Sequence, residues 1–575
     1  MTQIALGKAP GDLAVINARV VNVYTGEILD DQAVVTAGPW IAYTGDRSEG
    51  MIGPDTEVID AGGKVLIPGL IDGHTHLAGY YNVPNFLTHG AVGGTTTVIT
   101  EAFEAYAVAG YDGVLEFLEA IARQPIKIFA TAPPMVCLSP AFLGIDPADL
   151  DRLLARENVL GLGEAYWQGV LQSPEVLLPT MARTLAAGKV LEGHSAGAKG
   201  NKLAAYAATG VSSCHEPITA EEALALLRLG IHVMAREGNV RRDLQAIAEI
   251  RHAGIDLRRL TLVSDGVAPQ DLLEGGYMEL VVQRAIGYGF DPVAAIQMTT
   301  LNVAEHFRID HLVGGIAPGR YADLVLIPEP DRIRAELVIS NGRVIARQGR
   351  LVVAPRAHAY SERLCNTIDL PRPMTAEDFR IPAGEARQTV SASVIDMVTD
   401  LVTKERVIFL PVRDGSIDCD PRQDLIKVAT IDRRHTPGKT FTALIRGFGM
   451  RAGAVATSAV WDSANLTVLG VDEADMALAV NRIREIQGGV VVCREGRILA
   501  ELALPVLGVV CDLPMDQLAQ RLAQITRTLQ ELGVPFDDPL LSIATLTGAA
   551  IPFLRITEKG LVHLKTGRVS GVVDQ

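Results

Sequence analysis

Val65-Leu66-Ile67-Pro68-Gly69-Leu70-Ile71-Asp72-Gly73-His74-Thr75-His76-Leu77 is the most informative stretch of this 575-residue chain. An apolar run ends at Pro68-Gly69, and two histidines follow at positions i and i+2, His74 and His76. Because alternate side chains of a β-strand point to the same side, these two imidazoles can converge on one point. Neutral imidazole is a common ligand of transition metals. A lone His-x-His pair is weak evidence, so a metal site has to be supported by the rest of the sequence.

The composition is that of an ordinary globular protein, with 48% apolar and 21% charged residues. A chain of this length predicts two to four domains. The net charge of −15 argues against a nucleic-acid partner and against a basic membrane-binding surface. No segment reaches the ~18 uncharged apolar residues of a membrane span, and the N-terminus lacks the apolar core of a signal peptide. The six cysteines are scattered without paired spacing, so we expect a cytoplasmic protein.

The pattern of the chain changes after its N-terminal part. Residues 13–65 consist of short alternating strands broken by turns, which predicts a small β-sandwich. From 66 to about 310, short apolar strands alternate with helical stretches, and the clearest predicted helices are 113–123, 175–187 and 220–229. So many strand-helix units over about 250 residues predict an α/β fold with a (β/α)8 TIM barrel.

Beyond residue 310 the sequence predicts two further regions. A strand pattern returns at 321–327 and 335–344. The proline-rich residues 354–383 are a predicted connector. Residues 384–575 carry more strands and two clear helices, over 472–486 and 514–532, which predicts a separate α+β domain.

Four more candidate ligands stand at the ends of predicted barrel strands, where the catalytic groups of such barrels lie. In chain order they are Glu164, His194, His215 and Asp265. Each alone could be a core histidine or a helix cap. Together with His74 and His76 they provide four imidazoles and two carboxylates. A two-metal hydrolytic site needs such a set, because one carboxylate can bridge the cations and the other can accept a proton from water.

The sequence also resembles the bacterial adenine deaminases of the amidohydrolase superfamily over nearly its full length. Pro68–Leu77 is similar to the end of the first barrel strand in that superfamily. The other similar blocks are Gly93–Val98, Gly161–Glu164, Glu192–His194, Ser212–Glu216, Met234–Gly238, Ala294–His306, Gly447–Ala454 and Asp475–Arg482. The last two lie in a domain that is particular to adenine deaminases among amidohydrolases.

The resemblance implies a domain plan and a ligand set. Residues 1–65 and 311–355 would form a flanking β-sandwich, 66–310 the amidohydrolase barrel, and 384–575 the adenine-deaminase-type C-terminal domain. The implied metal ligands are His74, His76, Glu164, His194, His215 and Asp265. Glu164 would replace the bridging modified lysine of other branches. The implied cofactors are two divalent ions, Mn²⁺ or Fe²⁺, with Zn²⁺ as a further option.

The implied activity is conversion of adenine to hypoxanthine and ammonia by attack of a metal hydroxide on C6. Asp265 would accept the proton and pass it to the departing amine, while Glu104 would protonate a ring nitrogen. Substrate contacts are expected from four residues: Glu101, Phe103, Arg236 and Glu237. For Arg236 and Glu237 we favour a structural role over contact with substrate, because buried Arg-Glu pairs often link segments of the protein interior.

The sequence also departs from the pattern of the family. An Asp-Pro-His-Glu motif is Glu101-Ala102-Phe103-Glu104 here, and Gly266 stands where a second aspartate follows the ligand. Arg433-Arg434-His435 replaces Arg-His-His, and Val460–Asn465 replaces Ala-His-Asp-Ser-His-Asn, so polar groups expected near substrate or an auxiliary metal are missing.

These departures leave two alternatives open. One is a related amidohydrolase that acts on another nitrogen heterocycle or cyclic amide. The other, less favoured, is a non-catalytic scaffold, although such relatives usually lose ligands and this chain keeps all six. We expect a small purine-like substrate, no nucleic-acid or membrane partner, and a homo-oligomer.

Overall fold

Parallel strands alternating with helices form the centre of the fold. The computed structural model describes residues 1–134, 138, 144–384, 388–551 and 553–573. Within these ranges, barrel strands 1 to 8 are Leu70–Thr75, Thr95–Glu101, Lys127–Ala132, Val159–Tyr166, Val190–His194, Ser213–Cys214, His232–Arg236 and Leu260–Val263. Strands 1 to 5 pair in sequence order into one parallel sheet, and strands 6 to 8 form a second one.

Backbone hydrogen bonds close these two parallel sheets into a barrel. The amide of Ser212 donates to Leu191 O (2.9 Å), which joins barrel strand 5 to the segment that enters strand 6. The amide of Asp265 donates to His74 O (3.0 Å), which joins the carboxyl end of strand 8 to that of strand 1. The predicted (β/α)8 barrel is therefore confirmed.

Four helices of the barrel region begin at residues whose side chains cap them. The side chains of Asn82, Asp146, Thr219 and Asp291 accept hydrogen bonds from the first turn of the helices they precede. The described helices are Val83–Gly90, Phe103–Ile121, Pro147–Leu154, Trp167–Gln172, Pro174–Ala186, Asn201–Ala207, Ala220–Arg228, Leu244–Ile247, Pro269–Glu274, Met278–Gly287, Pro292–Gln297 and Leu301–His306. Helix Phe103–Ile121 begins ten residues before the predicted helix 113–123, since it continues through a break at Gly110.

A separate sheet joins the segments on either side of the barrel. Val65–Pro68 pairs antiparallel with Leu324–Ile327. This pairing holds in place the segment that leads directly into barrel strand 1. The other described strands of this sheet are Leu13–Asn22, Glu27–Ala37, Trp40–Gly45, Glu57–Asp60, Leu337–Ser340, Arg343–Arg347 and Arg350–Leu351. The single strand predicted over 335–344 is wrong. Residues Asn341 and Gly342, with φ of 52° and 71°, form a turn between two strands there.

The C-terminal region is built on a larger mixed sheet. Its strands, in spatial order, are Thr403–Pro411, Thr389–Met397, Thr440–Arg446, Leu425–Asp432, Asn465–Gly470, Ala454–Thr457, Gly489–Arg494 and Arg497–Ala503. Helices Glu473–Ile486 and Met515–Glu531 match the two predicted helices to within a residue or two. Tyr80–Tyr81 pairs with Val510–Cys511, so this region is attached beside the loop that follows barrel strand 1.

The predicted connector 354–383 is part of the packed structure. Leu370, Met374 and Phe379 are buried in the same apolar cluster as helix Glu473–Ile486. In the part of the chain that the structure describes, no helix has the length and apolar character needed to cross a membrane.

Candidate metal centre

The structure brings the six predicted ligands together at the carboxyl ends of the barrel strands. Glu164 lies at the centre of the cluster. Its Oε1 is 3.2 Å from both His74 Nε2 and His76 Nε2, and 3.9 Å from His215 Nε2. Glu164 therefore lies between candidate ligands from barrel strands 1 and 6, a position from which a carboxylate could bridge two cations.

The ligand atoms form two groups that share Glu164. The first contains His74, His76, Glu164 and Asp265, and the second contains Glu164, His194 and His215. In the first, Asp265 Oδ1 is 3.4 Å from His74 Nε2 and 3.6 Å from His76 Nε2. Each group has at least three nitrogen or oxygen donors close enough to surround one cation.

Asp72 fixes the backbone that carries two of these ligands. Its Oδ1 accepts hydrogen bonds from the amides of His74 and Ser264, each at 3.2 Å, and Ser264 Oγ donates to Oδ2 at 2.5 Å. The ends of barrel strands 1 and 8 are thus tied to one buried carboxylate. Asp265, which directly follows Ser264, has a φ of 55°. This left-handed conformation is uncommon for a residue with a side chain, and such backbone geometry concentrates at functional sites.

The donor set fits divalent cations. His74 Nε2 is buried and, among the described residues, meets no acceptor in hydrogen-bonding geometry, although Glu164 Oε1 is only 3.2 Å away. A buried imidazole nitrogen that lies beside carboxylates without a hydrogen bond is expected where a cation belongs between them. The cavity above is lined by nine carboxylates, against one lysine and two arginines. Bound cations would offset this excess of negative charge.

Glu216 belongs to the centre although the sequence analysis did not single it out. Its Oε1 lies 3.2 Å from His194 Nε2, 3.3 Å from His215 Nε2 and 2.5 Å from Arg236 Nη1. Burial alone would raise the pKa of Glu216, but the neighbouring His194 and Arg236 hold it well below its ordinary value. Its only sequence signal was its position directly after the ligand His215.

Arg236 and Glu237 point to different partners. Arg236 lines the cavity and contacts Asp265 Oδ2 (3.2 Å) and Asp243 Oδ2 (3.0 Å) as well as Glu216. Glu237 does not line the cavity. Its Oε1 is 2.6 Å from Arg284 Nη1 on helix Met278–Gly287. The structure thus brings Arg236 to the site and leaves Glu237 outside it.

Three residues at or just after the carboxyl end of barrel strand 2 also face the cavity: Glu101, Phe103 and Glu104. Glu104 Oε1 lies 3.3 Å from His76 Nδ1, and Glu101 Oε1 lies 3.7 Å from His74 Nδ1. Burial raises the pKa of Glu101, an effect that His74 only partly offsets. A Cβ at Gly163 would lie 2.0 Å from Glu101 Oε2, so this carboxylate depends on the absence of a side chain there.

The cavity of about 490 Å³ lies between the barrel and the C-terminal region. The far wall includes Val460, Trp461 and Asp462. The hydroxyl of Tyr166, on barrel strand 4, donates to Asp462 Oδ1 at 3.1 Å, and the amide of Ala549 donates to Oδ2 at 2.8 Å. Burial raises the pKa of Asp462 to about 7. The family resemblance already placed Val460–Asn465 near the substrate, but the contact between Asp462 and Tyr166 joins residues 296 positions apart and has no local sequence signal.

Comparison with known proteins assigns the family. Residues 65–346 match the amidohydrolase family, and residues 400–568 match the adenine deaminase C-terminal domain. The chain is 39% identical over 571 residues to an adenine deaminase from Moorella thermoacetica, covering 98% of this chain and 96% of that one. The chain belongs to the adenine deaminase family. The predicted resemblance is therefore confirmed.

Other members and more distant proteins extend this comparison. An adenine deaminase from Mesorhizobium japonicum is 33% identical, covering 98% of this chain and 95% of that one. A solved structure of a β-aspartyl dipeptidase from Fervidobacterium islandicum is 16% identical, with a TM-score of 0.46 over 59% of this chain and 97% of that one. Amidohydrolases are metal-dependent enzymes, and this adenine deaminase family member has two groups of side chains that could hold metal ions.

The departures from the adenine deaminase pattern fall in two places. Phe103, Gly266 and Trp461 line the cavity. Gly266 has a φ of 96°, a conformation that favours glycine. The segment Arg433-Arg434-His435, expected near substrate or an auxiliary metal, is absent from the cavity lining. Arg433 is fully buried and donates to Thr367 and Leu507.

Proposed function

We propose that this chain catalyses the hydrolytic deamination of adenine to hypoxanthine and ammonia. One observation carries the proposal: the six ligand residues converge around Glu164 at the base of a cavity, in a member of the adenine deaminase family. A cavity of about 490 Å³ suits a small heterocycle, since ligand pockets start at about 300 Å³. The reaction breaks a C–N bond and consumes one water.

The residues that would hold the metal ions follow from the two groups. His74, His76 and Asp265 would hold one ion, His194 and His215 the other, and Glu164 would bridge them. We propose Mn²⁺ or Fe²⁺, with Zn²⁺ as a further option, because carboxylate and imidazole ligands suit all three. When bound, such ions supply a water that is readily deprotonated near neutral pH.

Asp265 is suited to move the proton of the attacking water. Its Oδ1 faces His74 and His76, while Arg236 Nη1 holds its Oδ2 at 3.2 Å. Burial alone would raise the pKa of Asp265, but the imidazoles of His74 and His215 and the guanidinium of Arg236 keep it below its ordinary value. Ionised Asp265 accepts the proton as the water oxygen bonds to C6, and returns it to the amine, which leaves as ammonia.

Glu104 is suited to assist on the ring. It lines the cavity at the start of helix Phe103–Ile121, with its Oε1 beside His76 Nδ1. From this place it would donate a proton to the ring nitrogen next to the attacked carbon, and it would regain one from the C6 hydroxyl as ammonia leaves and the carbonyl forms. When water adds to C6, the ring nitrogen takes up the displaced electron pair, and the proton from Glu104 neutralises the charge that this creates.

The test is ammonia release from adenine by the metal-loaded protein, with hypoxanthine identified as the product. We expect turnover by the wild-type protein and a large loss in the Asp265→Asn variant. A metal-loaded protein that releases no ammonia from adenine would overturn the proposal. The two proteins are compared at equal metal content, measured by elemental analysis. A difference in rate then reflects the lost carboxylate rather than lost metal.

A second candidate is hydrolysis of a different nitrogen heterocycle or cyclic amide. The observation that favours it is the position of Phe103 and Gly266, two departures from the family pattern that both line the cavity. A site that lacks expected polar groups loses discrimination for a polar substrate edge, because that discrimination rests on buried hydrogen bonds. A panel of aminopurines and cyclic amides, assayed for ammonia release or ring opening, separates the two candidates.

A further inference from the structure

The helix that carries Glu104 is broken in its middle. Helix Phe103–Ile121 contains Gly110, whose φ of 63° and ψ of −152° are not helical. The first half, residues 103–109, therefore ends at Gly110, and the carbonyls of its last turn lack helical amide donors. Such carbonyls need partners from elsewhere when they are buried.

Two side chains of the C-terminal region supply those partners. The Nε–H of Arg434 donates to Val108 O, and the Nε2–H of His435 donates to Ala107 O, each at 2.9 Å. Ala107 and Val108 are both buried. A cation at the carboxyl end of a helix also interacts favourably with the helix dipole. The half-helix is thus capped by residues more than 320 positions away in the chain.

The loop that presents these side chains is itself well ordered by hydrogen bonds. Asp432, at the end of strand Leu425–Asp432, accepts from the amides of Arg434 (2.9 Å) and His435 (3.0 Å) through Oδ1. Its Oδ2 accepts from the amide and hydroxyl of Thr436, each at 2.7 Å. Arg434 also pairs with Asp369. These bonds hold Arg434 and His435 in place against the helix end.

We propose that Arg434 and His435 are positioning residues for Glu104. They fix the carboxyl end of half-helix 103–109, and this fixes its first turn, where Glu104 lies beside His76. Residues 104 and 108 are one turn apart on the same face, about 6 Å along the axis, so a shift at one end is transmitted to the other. The inference deepens the proposed function, on which it rests for the role of Glu104.

A double-mutant cycle tests the coupling. Arg434→Met removes the donor while keeping a long apolar side chain. Misplacing a reacting group by about 1 Å can cost about 100-fold, so we expect kcat/KM for adenine to fall by about 10–100-fold. In a Glu104→Gln background, which has already lost the group being positioned, we expect less than about a 3-fold further fall.

Further variants keep the test decisive. His435→Ala removes the second donor and should show the same non-additivity if Arg434→Met does not fold. Arg434→Lys keeps a cation at the helix end and should recover part of the rate. Arg484→Met is the matched control, because Arg484 Nε likewise donates to a backbone carbonyl, Leu370 O at 3.1 Å, within the C-terminal region. Equal falls with and without Glu104, or no fall in either background, would overturn the proposal.

Amide hydrogen exchange provides a readout that does not depend on activity. In the metal-loaded protein, Arg434→Met should speed exchange in the peptide covering 103–109, and Arg484→Met should not. Unchanged exchange in that peptide would also overturn the proposal. If the wild-type protein releases no ammonia from adenine, the proposed function fails, while the exchange result still decides whether the helix end is held.

Discussion

Replacing Glu164 by glutamine should weaken both metal sites together, whereas removing one histidine should weaken one. Glu164 Oε1 lies 3.2 Å from His76 Nε2 in the first group, and Glu164 belongs with His194 to the second. Loss of a residue that only orients a ligand costs about 10–100-fold in metal affinity, so loss of a ligand should cost at least about 100-fold.

The expected metal contents follow from simple occupancy. At free metal ten times the wild-type Kd, each wild-type site is about 91% filled, and a site weakened 100-fold is about 9% filled. The wild-type protein should then hold about 1.8 ions per chain, Glu164→Gln about 0.2, and His76→Ala or His194→Ala about 1.0. Elemental analysis after equilibrium dialysis measures these values.

The control for this series is Glu222→Gln. Glu222 also lines the cavity, but its Oε1 pairs with Lys199 Nζ at 3.1 Å rather than with a ligand. It should retain the wild-type metal content. If Glu164→Gln loses no more metal than a single histidine variant, Glu164 does not bridge two sites and the reasoning from the shared ligand group is refuted.

Three further predictions concern chemistry, specificity and stability. Asp265→Asn should lower kcat/KM by about 10²–10⁴-fold without emptying both metal sites, and near-normal turnover would show that the proton moves elsewhere. Phe103→His should raise activity on adenine relative to bulkier heterocycles in a competition assay, and an unchanged ratio would count against a role of this position in specificity. The Glu279 carboxylate is packed against Gly93, and burial raises its pKa to about 7. Because the folded protein then holds this proton more tightly than the unfolded chain, stability should fall by up to about 3 kcal/mol as pH rises from about 4.5 to 7. Denaturation of Glu279→Gln at several pH values should show a smaller fall, and an equal one would contradict the assignment.

The convergence of the six candidate ligands could be predicted because each stands at or just after the end of an apolar strand. Strand periodicity places His74 and His76 on one side, and barrel architecture brings distant strand ends to one face. Glu216 was not predicted as a site residue because it follows a strand end that already supplied a candidate ligand, His215. Its carboxylate turns back to contact His194 on the neighbouring strand, and no local pattern encodes that contact.

Boundaries set by tertiary contacts were predicted less well. Gly110 has low helix propensity, so the sequence favours a helix that starts only after it, at 113. The structure extends that helix back to Phe103, because Arg434 and His435 partner the carbonyls released at Gly110. By contrast, the turn at Asn341-Gly342 carried a local signal, since two-residue hairpin turns strongly favour the sequence Asn-Gly.

The departures from the family pattern have different consequences according to where they lie. Phe103, Gly266 and Trp461 line the cavity, so we expect them to alter which molecules it can accommodate. Arg434 contacts a helix end instead, so its difference from the family histidine affects how Glu104 is held. All six proposed ligand residues lie at barrel strand ends, and none lies at a position where the sequence departs from the expected pattern. The hydrolytic chemistry can therefore persist while the shape of the cavity changes. We accordingly expect this family member to differ from its relatives in the range of heterocycles that it accepts rather than in how it breaks the C–N bond.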